Sequence, residues 1–434
     1  MVLERVEYDV THCQRCSTCK WTNLWEVKSH RFARNCPSIV YGKFDCYAAQ
    51  GKNDIVTGLL RGELTWEESL DKLLEIIYRC PMCAACDVNC KRVMDLDIIG
   101  VLSALREEAC QRGYGPLPAH KEFIQSIQNY DNVWKQPRSR RANWARKLKI
   151  KDLSKKGEKA EVLYFVGCTY AYKPGMQDVP LGTARIMKEA DIDFGILGTK
   201  EPCCGGIIDN VGDTRNFEEI AKRNIEIFED LGVKLIVTNC PGCFTTFSEK
   251  YARLQKKNTE DLPYKVLHAT QLVDQLIKDG LIKFDKELNL RVTYHDPCHL
   301  GRRAEPYKHW EGKRTKFGLF DPPRDMNRGV NGIYEPPRNI LRSIPGIELT
   351  EMERIREASW CCGSGGGAKS AYPDFAIATS VERIKEAEAT GASILTTACP
   401  WCEANLRDGI DASQSKLKVM DVIELAEKAM KKEE

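Results

Sequence analysis

No apolar run in this chain approaches the roughly 18 residues that a membrane-spanning helix requires, and Met1-Val2-Leu3-Glu4-Arg5 lacks the basic and apolar regions of a secretory signal. A soluble, cytoplasmic protein is therefore expected, reaching the inner face of a membrane only through a partner. No glycine-rich dinucleotide fingerprint is present, so hydride chemistry on flavin or nicotinamide is expected to belong to another polypeptide. The net charge of +3 says little about partners, and no nucleic-acid motif accompanies the basic residues. What the 434 residues hold in excess is cysteine, twenty in all. In a reducing compartment disulfides are rare and grouped thiols favour metal. The length allows about three domains.

The cysteines repeat. Cys203-Cys204-Gly205-Gly206 recurs as Cys361-Cys362-Gly363, with matching thiols on either side. In the first copy 34 residues separate Cys168 from the pair, and Cys240-Pro241-Gly242-Cys243 follows after 35. In the second, 62 residues separate Cys298 from the pair, and Cys399-Pro400-Trp401-Cys402 follows after 36. Strand-like runs lead into Cys168, Cys298, Cys240 and Cys399, and the stretches Phe217 to Leu231 and Phe375 to Ala389 read as matching amphipathic helices. A repeat of this length predicts a duplicated α/β domain, with thiols gathered at strand ends. Adjacent cysteines that serve one site need a turn, which Gly205, Gly206, Gly363, Gly365, Gly366 and Gly367 permit. Five thiols exceed what one tetrahedral zinc takes and suit a larger, irregular iron-sulfur assembly.

The first 137 residues carry a different pattern. Cys13-x2-Cys16-x2-Cys19 is followed by Cys36-Pro37, and Cys80-x2-Cys83-x2-Cys86-x3-Cys90 comes later. Triple x2 spacing wraps one face of a [4Fe-4S] cube, with the fourth ligand supplied by the other run in two-cluster ferredoxins. By that rule Cys13, Cys16, Cys19 and Cys90 share one cube, and Cys80, Cys83, Cys86 and Cys36 share another. The 16 residues between Cys19 and Cys36 lengthen the usual spacing, and zinc is the alternative occupant of four thiolates. Helices are expected around Trp66 to Ile77, behind a Thr65/Glu68 capping box, and after Asp97 as N-cap. Cys46 and Cys110 fit no ligand spacing and are expected to be buried apolar residues.

The expected architecture is multidomain, α plus α/β: a helical ferredoxin-like domain (1–137), a basic linker (138–160), a first α/β copy (161–288) and a second (289–434) with an insertion near 301–333. From Arg138 to Lys159 the chain carries ten Lys or Arg against Asp152 and Glu158, either a solvated linker or a docking surface for an acidic partner. The insertion holds Trp310, Lys313, Arg314, Lys316, Phe317, Phe320, Pro322, Pro323 and Arg324; it reads as a surface excursion or as a lid beside the second site. His295 and His299 bracket Cys298 and are candidates for proton delivery or for structural hydrogen bonds.

Both copies resemble the CCG, or cysteine-rich, domain of the heterodisulfide reductase family, and the two-cluster unit ahead of them resembles the arrangement in its D subunit. The resemblance implies one or two non-cubane [4Fe-4S] clusters, held by Cys168, Cys203, Cys204, Cys240 and Cys243 and by Cys298, Cys361, Cys362, Cys399 and Cys402, besides the two cubes. It implies an electron-transfer subunit of an anaerobic redox complex, with disulfide reduction between paired clusters. The alternative is a relay between a flavin-containing partner and a catalytic or quinone-reactive subunit, as in class II benzoyl-CoA reductase complexes.

Overall fold

Two parallel sheets, built from the two copies, carry a helical N-terminal unit. A computed structural model describes residues 2–23, 25–324 and 328–430. Met1 of the N-terminal stretch, Leu24 between Cys19 and Cys36, Asp325, Met326 and Asn327 of the insertion, and 431–434 of the second copy lie outside the described residues.

The N-terminal unit is helical because its apolar residues recur at helical spacing. Leu73, Leu74, Ile76 and Ile77 bury one face of the helix Leu70–Tyr78, which ends two residues before Cys80. Thr65 donates side chain to side chain to Glu68 (2.8 Å), which sits in a short 3-10 turn, Glu67–Ser69, instead of forming a reciprocal capping box. Asp97 caps the helix Ile98–Gln111 as expected, accepting from the amide of Gly100 at 3.0 Å. Cys110, on that helix, is half-buried and its thiol donates to the carbonyl of Val211; Cys46 is half-buried too.

In the first copy, β1 (Lys151–Asp152), β2 (Val162–Tyr164), β3 (Phe194–Ile196), β4 (Leu235–Thr238) and β5 (Lys265–His268) form a sheet in the order β1-β3-β2-β4-β5, every pair parallel. In the second copy β6 (Leu290–Tyr294) is followed by a small antiparallel ribbon, β7 (Lys313–Arg314) and β8 (Phe320–Asp321). Then β9 (Ile347–Leu349), β10 (Ile394–Thr397) and β11 (Lys418–Asp421) complete the order β9-β6-β10-β11, again parallel. The order β3-β2-β4-β5 corresponds to β9-β6-β10-β11, strand for strand. Parallel pairing requires crossovers, and the helices Thr214–Leu231 and Pro373–Glu388 supply the ones ahead of β4 and β10.

Residues 138–160 are part of the first copy's packing: Trp144 enters its core, Arg141 is buried, and β1 is the sheet's edge strand. The insertion straps itself to the N-terminal unit. Arg324 pairs with Asp95 at 2.9 Å, the Tyr307 hydroxyl donates to the Asp95 carbonyl at 2.8 Å, and Lys91 donates to the carbonyl of Arg328 at 2.8 Å. The two copies meet through the helices Asp178–Glu189 and Val422–Ala429, and through Ala269–Lys278 and Glu335–Ser343.

Candidate metal centres

Cys168 and Cys298 follow the carboxyl ends of β2 and β6, while Cys240 and Cys399 follow the adjacent β4 and β10. Neighbouring parallel strands therefore deliver both thiols to one sheet edge. The adjacent pair arrives on a left-handed turn, with φ of 77° at Gly205 and 92° at Gly363, and each glycine amide donates back to the first sulfur of its pair (3.4 Å to Cys203, 3.3 Å to Cys361). The five thiols of each copy form one contiguous string. It runs Cys168, Cys203, Cys204, Cys243, Cys240 in the first copy and Cys298, Cys361, Cys362, Cys402, Cys399 in the second. Hydrogen bonds from Cys203 and Cys243 draw Cys204 well below the usual thiol range, and those from Cys361 and Cys402 do the same to Cys362.

Buried ion pairs hold the backbone ahead of each first thiol. Glu201 accepts from the amides of Val166 and Gly167 (3.0 and 2.9 Å) and pairs with buried Arg141 at 2.7 Å. In the second copy Asp296 accepts two bonds from Arg338 (2.6 and 2.9 Å) and one from the amide of Arg356. His295 faces the Cys362 thiol, and His295, Cys362 and Cys402 lie with their donor atoms within 4.8 Å of one another. His299 instead turns to Thr245 (3.1 Å) and Arg303 (3.1 Å), and burial beside Arg303 holds its imidazole well below its usual range.

In the N-terminal unit the thiols fall into two groups. Burial pushes Cys90 up to about 12, and its thiol neighbours are Cys13 and Cys19; burial likewise raises Cys19 to about 11, with Cys36, Cys13 and Cys16 nearby. Cys36, Cys80, Cys83 and Cys86 line one small cavity of about 20 Å³, with Lys52, Ile99 and Leu102 also on its walls. Cys16 is exposed, whereas Cys80 and Cys83 are buried, so the first group lies nearer the surface than the second. A cavity walled by four sulfurs, and five-sulfur strings at two sheet edges, are donor sets that fit iron-sulfur clusters.

Sequence reasoning missed how these groups connect. The Cys83 thiol touches Cys361, whose hydrogen bond draws it down. Arg302 locks that junction, donating to the carbonyls of Cys83 (2.9 Å) and Glu357 (3.0 Å) and to that of Ser359. Cys240 of the first copy is among the thiols that act on Cys399 of the second. No spacing rule marks Arg302, Arg141 or Glu201, because each acts through tertiary contacts.

A cysteine-rich (CCG) domain model matches residues 162–248 and 323–407, the second match beginning inside the insertion and leaving Cys298 outside it. The D subunit of the dihydromethanophenazine:CoB–CoM heterodisulfide reductase of Methanosarcina mazei is 33% identical over 368 residues, covering 84% of this chain and 80% of that protein. A probable iron-sulfur-binding oxidoreductase of Bacillus subtilis is 30% identical over 359 residues, 81% of this chain but only 46% of that longer protein. An EtfAB:quinone oxidoreductase of Syntrophomonas wolfei is 27% identical, over 82% of this chain and 47% of its own length. On the strength of the Methanosarcina match and the twice-found cysteine-rich domain, the chain belongs to the family of heterodisulfide reductase D subunits.

Proposed function

We propose that this chain is the iron-sulfur electron-transfer subunit of a redox complex and reduces a small disulfide between its two five-thiol sites. Cys13, Cys16, Cys19 and Cys90 would hold one cubane cluster, and Cys36, Cys80, Cys83 and Cys86 another. The strings from Cys168 and Cys298 would each hold a non-cubane cluster. When bound, these clusters supply one-electron chemistry at four sites. The observation that carries the reading is the succession of thiol groups: the four-thiol group nearer the surface, the buried one, Cys83 against Cys361, and the two five-thiol strings, where Cys240 of the first acts electrostatically on Cys399 of the second. Cleaving one disulfide consumes two electrons and two protons and yields two thiols. The chain's own part is to bury the sulfurs, exclude water from Cys361, Cys362 and Cys402, and hold the strand ends through Glu201 and Asp296.

No helix among the described residues is long and apolar enough to cross a membrane. The reading gives any quinone or haem step to a partner subunit and hydride chemistry to a flavin-containing one. The Bacillus and Syntrophomonas relatives favour a second reading, a relay that touches no disulfide. Anaerobic reconstitution with iron and sulfide, followed by a panel of disulfides under excess reductant, separates the two. Turnover that disappears in Cys361→Ala, with the N-terminal clusters still reducible, is the expected result. Reduced clusters that persist with every disulfide would leave only the relay, and an unchanged rate in Cys361→Ala would remove the active-site assignment.

A further inference from the structure

A groove of about 790 Å³ lies on the first copy, between the 138–148 segment and the helices Cys168–Tyr172 and Asp178–Glu189. Its floor is apolar, with Trp144, Tyr172 and Leu181, and its rim carries Arg140, Arg146, Lys147 and Arg185 without one lining carboxylate. Arg185 pairs with Glu427 outside the groove, and among the described residues the Arg140 side chain donates to the amide oxygen of Gln136 (3.3 Å). Gathering Arg140, Arg146 and Lys147 around a groove that no carboxylate lines costs free energy through mutual repulsion, and an anionic occupant offsets that cost. An apolar floor adds contact area that a free inorganic anion would not use.

We propose that this groove docks an acidic, partly apolar surface segment of a protein redox partner; the partner's redox character rests on the function proposed above, its acidity and apolar surface do not. A protein is favoured over a small anion because exposed positive charge continues along the chain past the groove, at Lys149, Lys155, Lys156 and Lys159, while Arg138, Arg141 and Lys151 are already paired with Asp131, Glu201 and Asp193. The groove is also placed to matter to the first five-thiol site. Tyr172 ends the helix that Cys168 begins, and the Arg141 guanidinium lies 5.7 Å from the Tyr172 ring centre. Arg141 in turn holds Glu201, whose carboxylate fixes the amides of Val166 and Gly167 immediately before Cys168. An occupant that rests on Tyr172 is therefore linked through Arg141 and Glu201 to the segment just before Cys168.

The test measures binding of the full, cluster-loaded chain to an acidic flavodoxin across a range of salt concentrations. Triple charge reversal at the rim (R140E, R146E and K147E) is expected to weaken binding by about tenfold or more at low salt and to flatten its salt dependence. A charge-neutral set, R140Q, R146Q and K147Q, gives the same direction with less risk to folding. An equal reversal outside the groove (K121E, K256E and K257E) is the control and should change binding far less. Equal losses in rim and control variants, or no binding by the unaltered chain, would overturn the proposal. Rim-dependent binding to phosphatidylcholine/phosphatidylserine vesicles, with none to the flavodoxin, would overturn it too, giving the groove to a lipid surface. Iron content and cluster absorption, read on the same samples, report separately on the function proposed above.

Discussion

At the scale of single residues the two five-thiol strings differ in what flanks them. His295, in the run that leads into Cys298, aligns with Phe165 in the run that leads into Cys168. Arg383, itself held by Glu386 (2.7 Å) and the carbonyl of Arg354 (2.9 Å), donates to His295 Nδ1 at 3.1 Å. That bond leaves Nε2 as the protonated nitrogen, free to donate to the Cys362 thiol. Donation to a ligand sulfur withdraws electron density and favours the reduced form of a cluster. His295→Phe should therefore lower the midpoint potential of the cluster proposed at the Cys298 string and leave the one proposed at the Cys168 string alone, as read by redox titration with paramagnetic resonance detection. Identical potentials in the two proteins would refute the asymmetry. The grouping of the thiols was legible in the sequence because donors to one site recur at short, repeated intervals along the chain. The partner of His295 was not, since Arg383 is 88 residues away and only packing brings it close.

At the scale of elements, strands and helices were legible wherever periodicity and punctuation agreed, as in Phe217 to Leu231, which extends from Thr214 and stops at Gly232 with φ of 61°. The 138–160 segment was harder to read, because β1 is two residues long and Arg141 is buried by a partner 60 residues away. Chain ends of elements also hide their chemistry. Asp421 caps the helix Val422–Ala429 by accepting from the amide of Ile423 (2.8 Å), and it accepts from the Tyr170 hydroxyl of the other copy at 2.7 Å. Burial pushes its carboxyl from 3.8 up to about 7; Glu424 adds to this, the Ile423 amide, Tyr170 and Arg407 oppose it, and Glu403 faces the same Tyr170. A carboxyl raised in the folded state binds more protons folded than unfolded, so its contribution to stability is present below about pH 4 and lost as pH rises towards 7. The slope is at most about 1.4 kcal/mol per pH unit. Asp421→Asn keeps the cap through its amide oxygen, can donate from Nδ2 to the Tyr170 oxygen in place of accepting from it, and cannot ionise, so it should gain stability relative to the unaltered chain between about pH 4 and pH 7 in denaturant melts. A constant difference across that range would show that Asp421 titrates normally.

At the scale of the molecule, three units with separate folds are held in one register by a buried guanidinium. Arg106, on the helix Ile98–Gln111, donates to the carbonyls of Ile77 (2.9 Å) and Cys80 (2.7 Å) in its own unit. It also donates to Asn210 (2.6 Å) in the first copy and Gly366 (2.7 Å) in the second. Its side chain is fully buried and lies over the Tyr78 ring at 4.9 Å, so the charge is stabilised by these carbonyls and by that ring. Each of these carbonyls left buried without a donor costs about 1–3 kcal/mol. Two of the four stabilise the N-terminal unit by itself, and each of the other two exists only while that unit is docked on the copy that carries the carbonyl. Arg106→Met preserves much of the volume and the apolar contacts while deleting all four bonds. Calorimetry of the variant should show a lower transition temperature and a transition that divides, with the N-terminal unit melting apart from the paired sheets. The same loss would loosen Cys80, whose carbonyl Arg106 holds, so iron should be released faster to a chelator from the buried four-thiol site than from the strings beginning at Cys168 and Cys298. A single, unshifted transition with unchanged iron release would mean that Arg302 and the interdomain ion pairs hold the units together without Arg106.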